Sequence, residues 1–287
     1  MRLLQLHADG SVTLTRDLVV AGAIPAYAIL SHTWGADTDE VTFEDLTHNV
    51  PGTQDKPGYD KIRFCGEQAR SDGLLFFWVD CCCINKANST ELSQAINSMF
   101  RWYQNAARCY VYLSDVLSDE LGDISSAPFE LAFEHSRWFT RGWTLQELLA
   151  PSSVEFFSFQ GIKIGDKKTL GAEIHKITGI AKLALEGTPL DQFTINERIS
   201  WAARRETTIE EDQVYCVLGI FGVHIPLIYG EGAANAMRRL RKEIRNFECE
   251  SNHSCDIETA HLQRERQSLK RNRIAETHRS RAFVAQC

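Results

Sequence analysis

The chain has 287 residues, of which 44% are hydrophobic and 24% charged, and its formal net charge is −7. These values are typical of a soluble globular protein. No apolar run approaches the ~20 residues that a membrane-spanning helix needs, and the first residues are too polar for a secretory signal. We therefore expect a cytoplasmic protein without a membrane span.

The charge is distributed unevenly along the chain. Residues 238–287 hold 12 Lys/Arg against 7 Asp/Glu, which leaves residues 1–237 with a net charge of −12. A field of that sign repels phosphate, so we expect no nucleic-acid partner for the main body. Residues 248–287 lack any periodic apolar pattern and read as a basic, disordered tail.

The first part of the chain alternates between strand and helix patterns. A short strand and a turn at Asp9-Gly10 come first, and then the apolar strand that begins at Tyr27. Residues 36–57 are polar and predict a long surface loop. The apolar runs Leu74–Val79 and Cys109–Leu113 predict two further buried strands.

Two amphipathic helices separate these strands. One is predicted over residues 58–72, and the second begins at Asn88, which forms a capping box with Glu91. Strands that alternate with helices form parallel sheets, whose ligand sites lie at the carboxyl ends of the strands. The pattern therefore predicts a flavodoxin-like α/β domain over residues 1–160.

The remainder of the chain is read as mainly helical. Leu117–Phe133 is predicted to be a loop and Val154–Phe157 a fourth strand. Helices follow over 170–178, 194–204 and 234–247, and another begins at a capping box of Thr208 and Glu211. Residues 161–247 are thus expected to form a helical part.

Polar residues follow the predicted strands at their carboxyl ends. Ser31, His32, Trp34 and Gly35 follow the first strand, and Asp80 follows the second. His32 is either a site residue or a structural cap. Asp80 is equally a polar group of the crevice or a cap of its strand.

Three adjacent cysteines, Cys81-Cys82-Cys83, come directly after Asp80. Zinc sites need ligand pairs separated by two or more residues, and that spacing is absent. We therefore expect buried thiols here and no metal.

The stretch Ser136–Pro151 contains the most informative carboxylate. A break at Gly142 leads into a short helix in which Trp143 and Glu147 share one face. A carboxylate beside a large aromatic ring loses water, and its pKa rises, as in many catalytic acids. In the structural alternative Trp143 anchors the core and an arginine, Arg141 or Arg137, neutralises Glu147. Arg137 and Trp138 are read as scaffold.

Several ordered segments resemble the heterokaryon incompatibility (HET) domain of filamentous fungi. The resemblance lies in Tyr27–Gly35, Gly58–Ile62, Trp78–Lys86, Glu91–Tyr103 and Ser136–Pro151, and it continues to Gly232. It implies a role in cell death and self/non-self signalling. Because the chain lacks a Walker-type phosphate loop, we expect it to act through self-association or through recruitment by a receptor protein.

A second resemblance suggests a chemistry. The segment W-T-L-Q-E-L at Trp143–Leu148 is similar to the helix that carries the catalytic glutamate of NAD-cleaving TIR domains. It implies that Glu147 is the catalytic carboxylate and that Ser31–Gly35 lines a nucleotide pocket. Trp34 or Trp143 would stack on nicotinamide, and Arg141 or His32 would meet the diphosphate.

NAD would then be a substrate that loses its nicotinamide, and no cofactor is expected. A carboxylate suits this cleavage because positive charge develops on the ribose in the transition state. Two alternatives stay open at the sequence level. One is a non-enzymatic domain that signals by self-association, and the other is catalysis by Cys83 with His32.

Overall fold

The computed structural model describes residues 1–18, 22, 24–118 and 127–249 of the chain. It comprises two compact units, Met1–Leu240 and Arg241–Cys287. The tail predicted over residues 248–287 lies almost entirely outside the described residues. The sheet and the helices that cover it belong to the first unit, Met1–Leu240.

A seven-stranded mixed sheet forms the centre of this unit. Its strands are β1 (Leu4–Leu6), β2 (Val12–Leu14), β3 (Tyr27–His32), β4 (Phe76–Trp78), β5 (Arg108–Tyr112), β6 (Val154–Phe157) and β7 (Lys163–Asp166). Their order across the sheet is β2-β1-β4-β3-β5-β6-β7. The four central strands are parallel, whereas β1, β2 and β7 are antiparallel additions at the edges.

Helices connect and cover the strands. They are α1 (Phe43–Thr47), α2 (Gly58–Ser71), α3 (Asp80–Cys83), α4 (Ser89–Asn105), α5 (Ala127–Glu134), α6 (Thr144–Leu149), α7 (Gly171–Thr178), α8 (Lys182–Leu185), α9 (Ile195–Ser200), α10 (Asp212–Tyr215) and α11 (Leu218–Phe221). Residues 233–240 are also helical. The predicted α/β class with a mainly helical C-terminal part is confirmed.

The central strands form where the sequence is apolar without alternation. All six residues of β3 are buried, as expected for a strand that is covered on both faces. The helix α2 buries Ile62, Cys65 and Ala69, while α4 buries its stripe from Ala95 to Tyr103. Apolar faces at helical spacing thus pack against the apolar sheet.

Two predicted loops contain helices. The 36–57 region includes α1, which begins at a capping box of Thr42 and Asp45, and Glu40 and Val41 of this region are buried. The loop predicted over Leu117–Phe133 ends in α5, and its residues 119–126 lie outside the described part. A helix as short as α1 offers too few residues for an apolar period to be visible.

Two predicted capping boxes are wrong in part. Asn88 does cap α4, but the Glu91 carboxylate binds Arg2 and the backbone N–H of Asn85 instead of returning to the cap. Glu211 accepts the backbone N–H groups of Gly230 and Gly232, each at 2.8 Å, so it forms no box with Thr208. Distant partners competed successfully for both carboxylates.

Candidate functional site

A cavity of about 480 Å³ opens at the carboxyl ends of the parallel strands. Its walls come from the ends of β3 and β4, from α4 and α6, and from residues of the C-terminal part. The lining residues are His32, Thr33, Trp34, Asp37, Asp80, Ile84, Lys86, Leu92, Ile96, Met99, Arg141, Trp143, Thr144, Glu147, Thr208, Ile209, Asp212 and Tyr229. The volume is that of an ordinary small-ligand pocket.

Glu147 lies on α6 with only 5% of its surface exposed. It shares the cavity with Trp34 and Asp80, although these residues are far apart in the sequence. Burial and the nearby charge of Asp80 raise the pKa of Glu147 to about 8. Near neutral pH this carboxyl group can therefore gain or lose a proton.

Ser31 and Trp138 orient the Glu147 side chain through hydrogen bonds. The Ser31 hydroxyl donates a hydrogen bond to Glu147 Oε2 and accepts one, of 2.8 Å, from the indole Nε1 of Trp138. Both residues are fully buried, and neither lines the cavity. Ser31 therefore contacts Glu147, and Trp138 supports that contact, while contact between Ser31 and a substrate stays a prediction.

Trp34, Asp80 and His32 form one cluster at the carboxyl ends of β3 and β4. The indole Nε1 of Trp34 donates to Asp80 Oδ2 at 2.8 Å, and Asp80 Oδ1 lies 3.7 Å from His32 Nε2. Burial raises the pKa of Asp80. Burial, together with the charges of Lys61 and Lys86, holds the pKa of His32 well below its usual value. His32 is therefore a neutral imidazole near pH 7.

Arg141 and Trp143 also line the cavity. Arg141 donates to the Thr208 hydroxyl at 3.4 Å, and Trp143 Nε1 donates to Asp212 Oδ2 at 3.2 Å. Arg137, which was the alternative partner for Glu147, lies 3.6 Å from Asp115 instead. Neither arginine of the structural alternative pairs with Glu147.

The cation that does act on Glu147 is Arg205. It is buried, it donates to the Thr144 hydroxyl at 2.7 Å, and its charge lowers the pKa of Glu147. Sequence reasoning missed it because nothing near Arg205 in the chain signals its position. Asp212, Thr208 and Lys86 were missed as site residues for the same reason.

Gly35 does not line the cavity. Its backbone N–H donates to Glu40 Oε1 at 2.7 Å, and Glu40 is paired with the buried Lys61. This ion pair ties the loop after β3 to α2. Contact between Gly35 and a ligand stays a prediction.

Gly142 allows the C-terminal part to approach α6 closely. A Cβ atom at this position would lie 2.5 Å from Thr207 Cγ2 and 3.2 Å from Cys216 Sγ. The Gly142 N–H donates to the Glu206 carbonyl at 2.9 Å. The absent side chain therefore lets residues 205–208 reach the cavity wall.

The three adjacent cysteines are buried, as predicted. Hydrogen bonding to Cys82, together with burial, raises the pKa of the Cys81 thiol well above its usual value, and burial does the same for Cys82. Cys83 does not line the cavity that contains His32. The geometry offers no support for catalysis by a Cys83–His32 pair.

One group of described residues could hold a metal ion. His32, Asp80 and Cys81 each place one ligand atom within 4.8 Å of the others. However, the charges of Lys61 and Lys86 act on His32 and oppose a cation here. The cluster is better described as a neutral hydrogen-bond donor, His32, beside a carboxylate, Asp80. These two groups can bind an organic ligand together.

Comparison with known proteins places the chain in a family. Residues 27–131 match the family described as "Heterokaryon incompatibility protein (HET)". The chain is also 54% identical over 244 residues to "Vegetative incompatibility protein HET-E-1" of Podospora anserina. That match covers 85% of this chain but 18% of the relative, so the chain spans less than a fifth of the relative's length. No solved structure matches the chain.

The sheet, its flanking helices and the helical C-terminal part define an α/β protein with a cavity at the carboxyl ends of its parallel strands. Within that class, the chain is a HET-domain protein of the fungal heterokaryon incompatibility family. Among the described residues, no helix is both long and apolar enough to cross a membrane.

Proposed function

We propose that this chain is a self/non-self signalling effector that hydrolyses the nicotinamide–ribose bond of NAD. The observation that carries the proposal is the buried Glu147, which faces a cavity of suitable size beside an aromatic side chain and several polar ones. The vegetative incompatibility role named for the relative supports the signalling half of the proposal. The resemblance of the α6 segment to TIR domains supports the chemical half.

The cavity and NAD have complementary parts. The Lys86 ammonium covers one face of the Trp34 ring, 3.4 Å from its centroid, which shows that this face attracts a cation. The nicotinamide ring takes the place of Lys86 on this face, and Lys86 turns to the diphosphate. The pyridinium ring of NAD is a flat cation of the same sign. Arg141 and Lys86 supply positive charge for the diphosphate, while Glu147 meets the ribose.

The reaction breaks the bond between C1′ of the ribose and the pyridinium nitrogen. The bonding electron pair moves to that nitrogen, and neutral nicotinamide leaves. Positive charge develops on the ribose and is stabilised by the Glu147 carboxylate. Water then attacks C1′, and its proton passes to Glu147 and on to solvent, which yields ADP-ribose.

The raised pKa of Glu147 is compatible with this role. In the empty cavity at neutral pH a large fraction of Glu147 is protonated, because its pKa is about 8. A bound pyridinium cation favours the carboxylate electrostatically. Substrate binding therefore generates the ionised group that the transition state requires.

Expression in fungal or yeast cells tests the proposal and separates it from signalling by self-association alone. Wild-type chain should lower both cellular NAD and cell survival, whereas Glu147→Gln should lower neither at equal protein level. The exposed Glu173 of α7 provides the matched control, and Glu173→Gln should behave as wild type. Cell death with unchanged NAD, or death that persists in Glu147→Gln, would favour the non-enzymatic interaction domain.

A further inference from the structure

Two residues that line the cavity each have a buried polar atom without a hydrogen-bond partner, and these two atoms lie side by side. These atoms are His32 Nε2 and Asp80 Oδ1, 3.7 Å apart. The His32 side chain is only 2% exposed and that of Asp80 19%. Buried polar atoms in folded proteins are nearly always paired, so such a pair points to a ligand group that completes it.

Asp80 Oδ1 is held as an acceptor. The other carboxylate oxygen, Oδ2, accepts the indole N–H of Trp34 at 2.8 Å, which fixes the rotation of the carboxylate. Oδ1 is left on the side of His32. Both residues and Trp34 line the cavity.

His32 Nε2 is the donor of the pair. A neutral imidazole carries one N–H, and the position of this proton is assigned from its surroundings. The unpaired oxygen of Asp80 faces Nε2, so the tautomer with the proton on Nε2 is favoured electrostatically. His32 and Asp80 thus offer one donor and one acceptor beside Trp34, and a ligand that enters from the cavity reaches both by a small separation of the two side chains.

A primary carboxamide on an aromatic ring complements this arrangement. Its NH₂ group donates to Asp80 Oδ1, its carbonyl oxygen accepts from His32 Nε2, and its ring stacks on Trp34. A carboxylate on the same ring has no proton to donate and would bring two acceptors against Asp80. The two ligands therefore differ by one satisfied hydrogen bond and one charge repulsion.

We propose that His32 and Asp80 recognise the carboxamide of a pyridine-3-carboxamide ligand and exclude the corresponding carboxylate. This inference rests on the proposed function and specifies its substrate class. NAD is selected, and dinucleotides of nicotinic acid are rejected. Asp80 is the specificity-determining residue, because its Oδ1 tells an amide from an acid.

The test measures binding of free nicotinamide and free nicotinic acid to the full chain by tryptophan fluorescence and by saturation-transfer NMR. Wild type should bind nicotinamide more tightly by about tenfold or more, the value of one hydrogen bond to a charged group. In Asp80→Asn the Trp34 N–H requires the amide oxygen at the Oδ2 position. The new NH₂ group then replaces the acceptor at Oδ1, and the preference should move toward nicotinic acid.

Asp191→Asn is the matched control, because it makes the same change at an exposed residue outside the cavity lining and should keep the preference for nicotinamide. The proposal is overturned if wild type binds the two ligands equally, if it binds neither, or if Asp80→Asn keeps the wild-type preference. Abolition of nicotinamide binding by a chelator would likewise overturn it, in favour of a metal at His32, Asp80 and Cys81.

The outcome is separable from that of the proposed function. Selective binding of nicotinamide without release of nicotinamide from NAD would contradict the enzyme but support the recognition. Equal cleavage of NAD and of its nicotinic acid analogue would support the enzyme but contradict the recognition.

Discussion

Glu147 is oriented by two successive hydrogen bonds that begin at a buried indole. A serine hydroxyl can donate only one hydrogen bond, and Ser31 donates it to Glu147. The same hydroxyl oxygen accepts a hydrogen bond from Trp138 Nε1. The indole therefore determines the direction in which Ser31 donates. Trp138 is a positioning residue that acts on Glu147 through Ser31.

Trp138→Phe should reduce the rate of nicotinamide release roughly tenfold, since one hydrogen bond in the chain is lost. The phenyl ring keeps the edge-to-face packing against Phe139 and Phe156. The pH profile should also move to higher pH, because the Ser31 hydrogen bond lowers the pKa of Glu147. Trp102→Phe on α4 is the control. If both variants showed the same activity and pH profile, the positioning role would be wrong.

Glu147→Gln should become more stable relative to wild type as the pH rises. The folded-state pKa of about 8 lies above the usual 4.5, so the folded protein binds this proton more tightly than the unfolded chain. The stability that Glu147 contributes is fully present below pH 4.5 and is lost as the pH rises through 8. Glutamine does not titrate, so the variant escapes this loss.

The measurement is Tm at pH 5 and at pH 9 for wild type and variant. The difference in pKa is worth about 4 kcal/mol between these two pH values. The Tm difference should therefore grow by roughly 10 °C in favour of Glu147→Gln, given ~2–4 °C per kcal/mol for a large domain. Glu173→Gln should show no such growth. A Tm difference that is the same at both pH values would mean that folding does not raise the pKa of Glu147.

At the scale of elements, the wall of the cavity depends on the contact between α4 and α11. Gly219 of α11 packs directly against Phe100 of α4, and a Cβ atom there would overlap the Phe100 side chain. The same helix α4 contributes Leu92, Ile96 and Met99 to the cavity. Separation of the two helices would therefore reach the ligand site.

Gly219→Ala should destabilise the protein by about 1–3 kcal/mol, the usual cost of overpacking a tight contact. Gly171→Ala, at the start of α7, is the matched control, because a Cβ atom there meets nothing within 4 Å. It should be neutral or slightly stabilising. Urea unfolding midpoints measure both effects, and equal midpoints for the two variants would show that α4 and α11 do not pack this closely.

Elements that depend on their own sequence could be predicted, and those that depend on distant partners could not. The strands β3 to β6 and the helices α2 and α4 carry complete local patterns, and they formed where expected. The edge strand β7 has only four residues, too few for a clear alternation of apolar and polar side chains, and it forms because β6 offers an open edge. The partners of Glu91 and Glu211 were likewise decided by tertiary contacts.

The candidate site followed the same rule. One cavity is lined by six of the predicted site residues: His32, Trp34, Asp80, Arg141, Trp143 and Glu147. The order of the strands and the shared face of one helix were enough to predict that they lie close together. Ser31 and Gly35 were expected beside a ligand because they follow or end a strand. Their actual partners, Glu147 and Glu40, depend on side-chain directions that strand position alone does not determine.

At the scale of the whole molecule, the site is larger than the segment that identifies the family. The family match ends at residue 131, whereas Glu147 and the wall formed by Thr208, Asp212 and Tyr229 lie beyond it. The 244-residue similarity to the relative is long enough to include both parts. A receptor that recruits the chain, and association with a second copy, stay predictions.

Release of nicotinamide from NAD by the purified full chain tests the central claim most directly. Measured by chromatography over a wide range of protein concentration, wild type should release nicotinamide and ADP-ribose in equal amounts. Glu147→Gln should lose this activity by at least ~100-fold, as expected for removal of a group that stabilises the transition state. The absence of release by wild type at every concentration, or equal release by Glu147→Gln, would contradict the account.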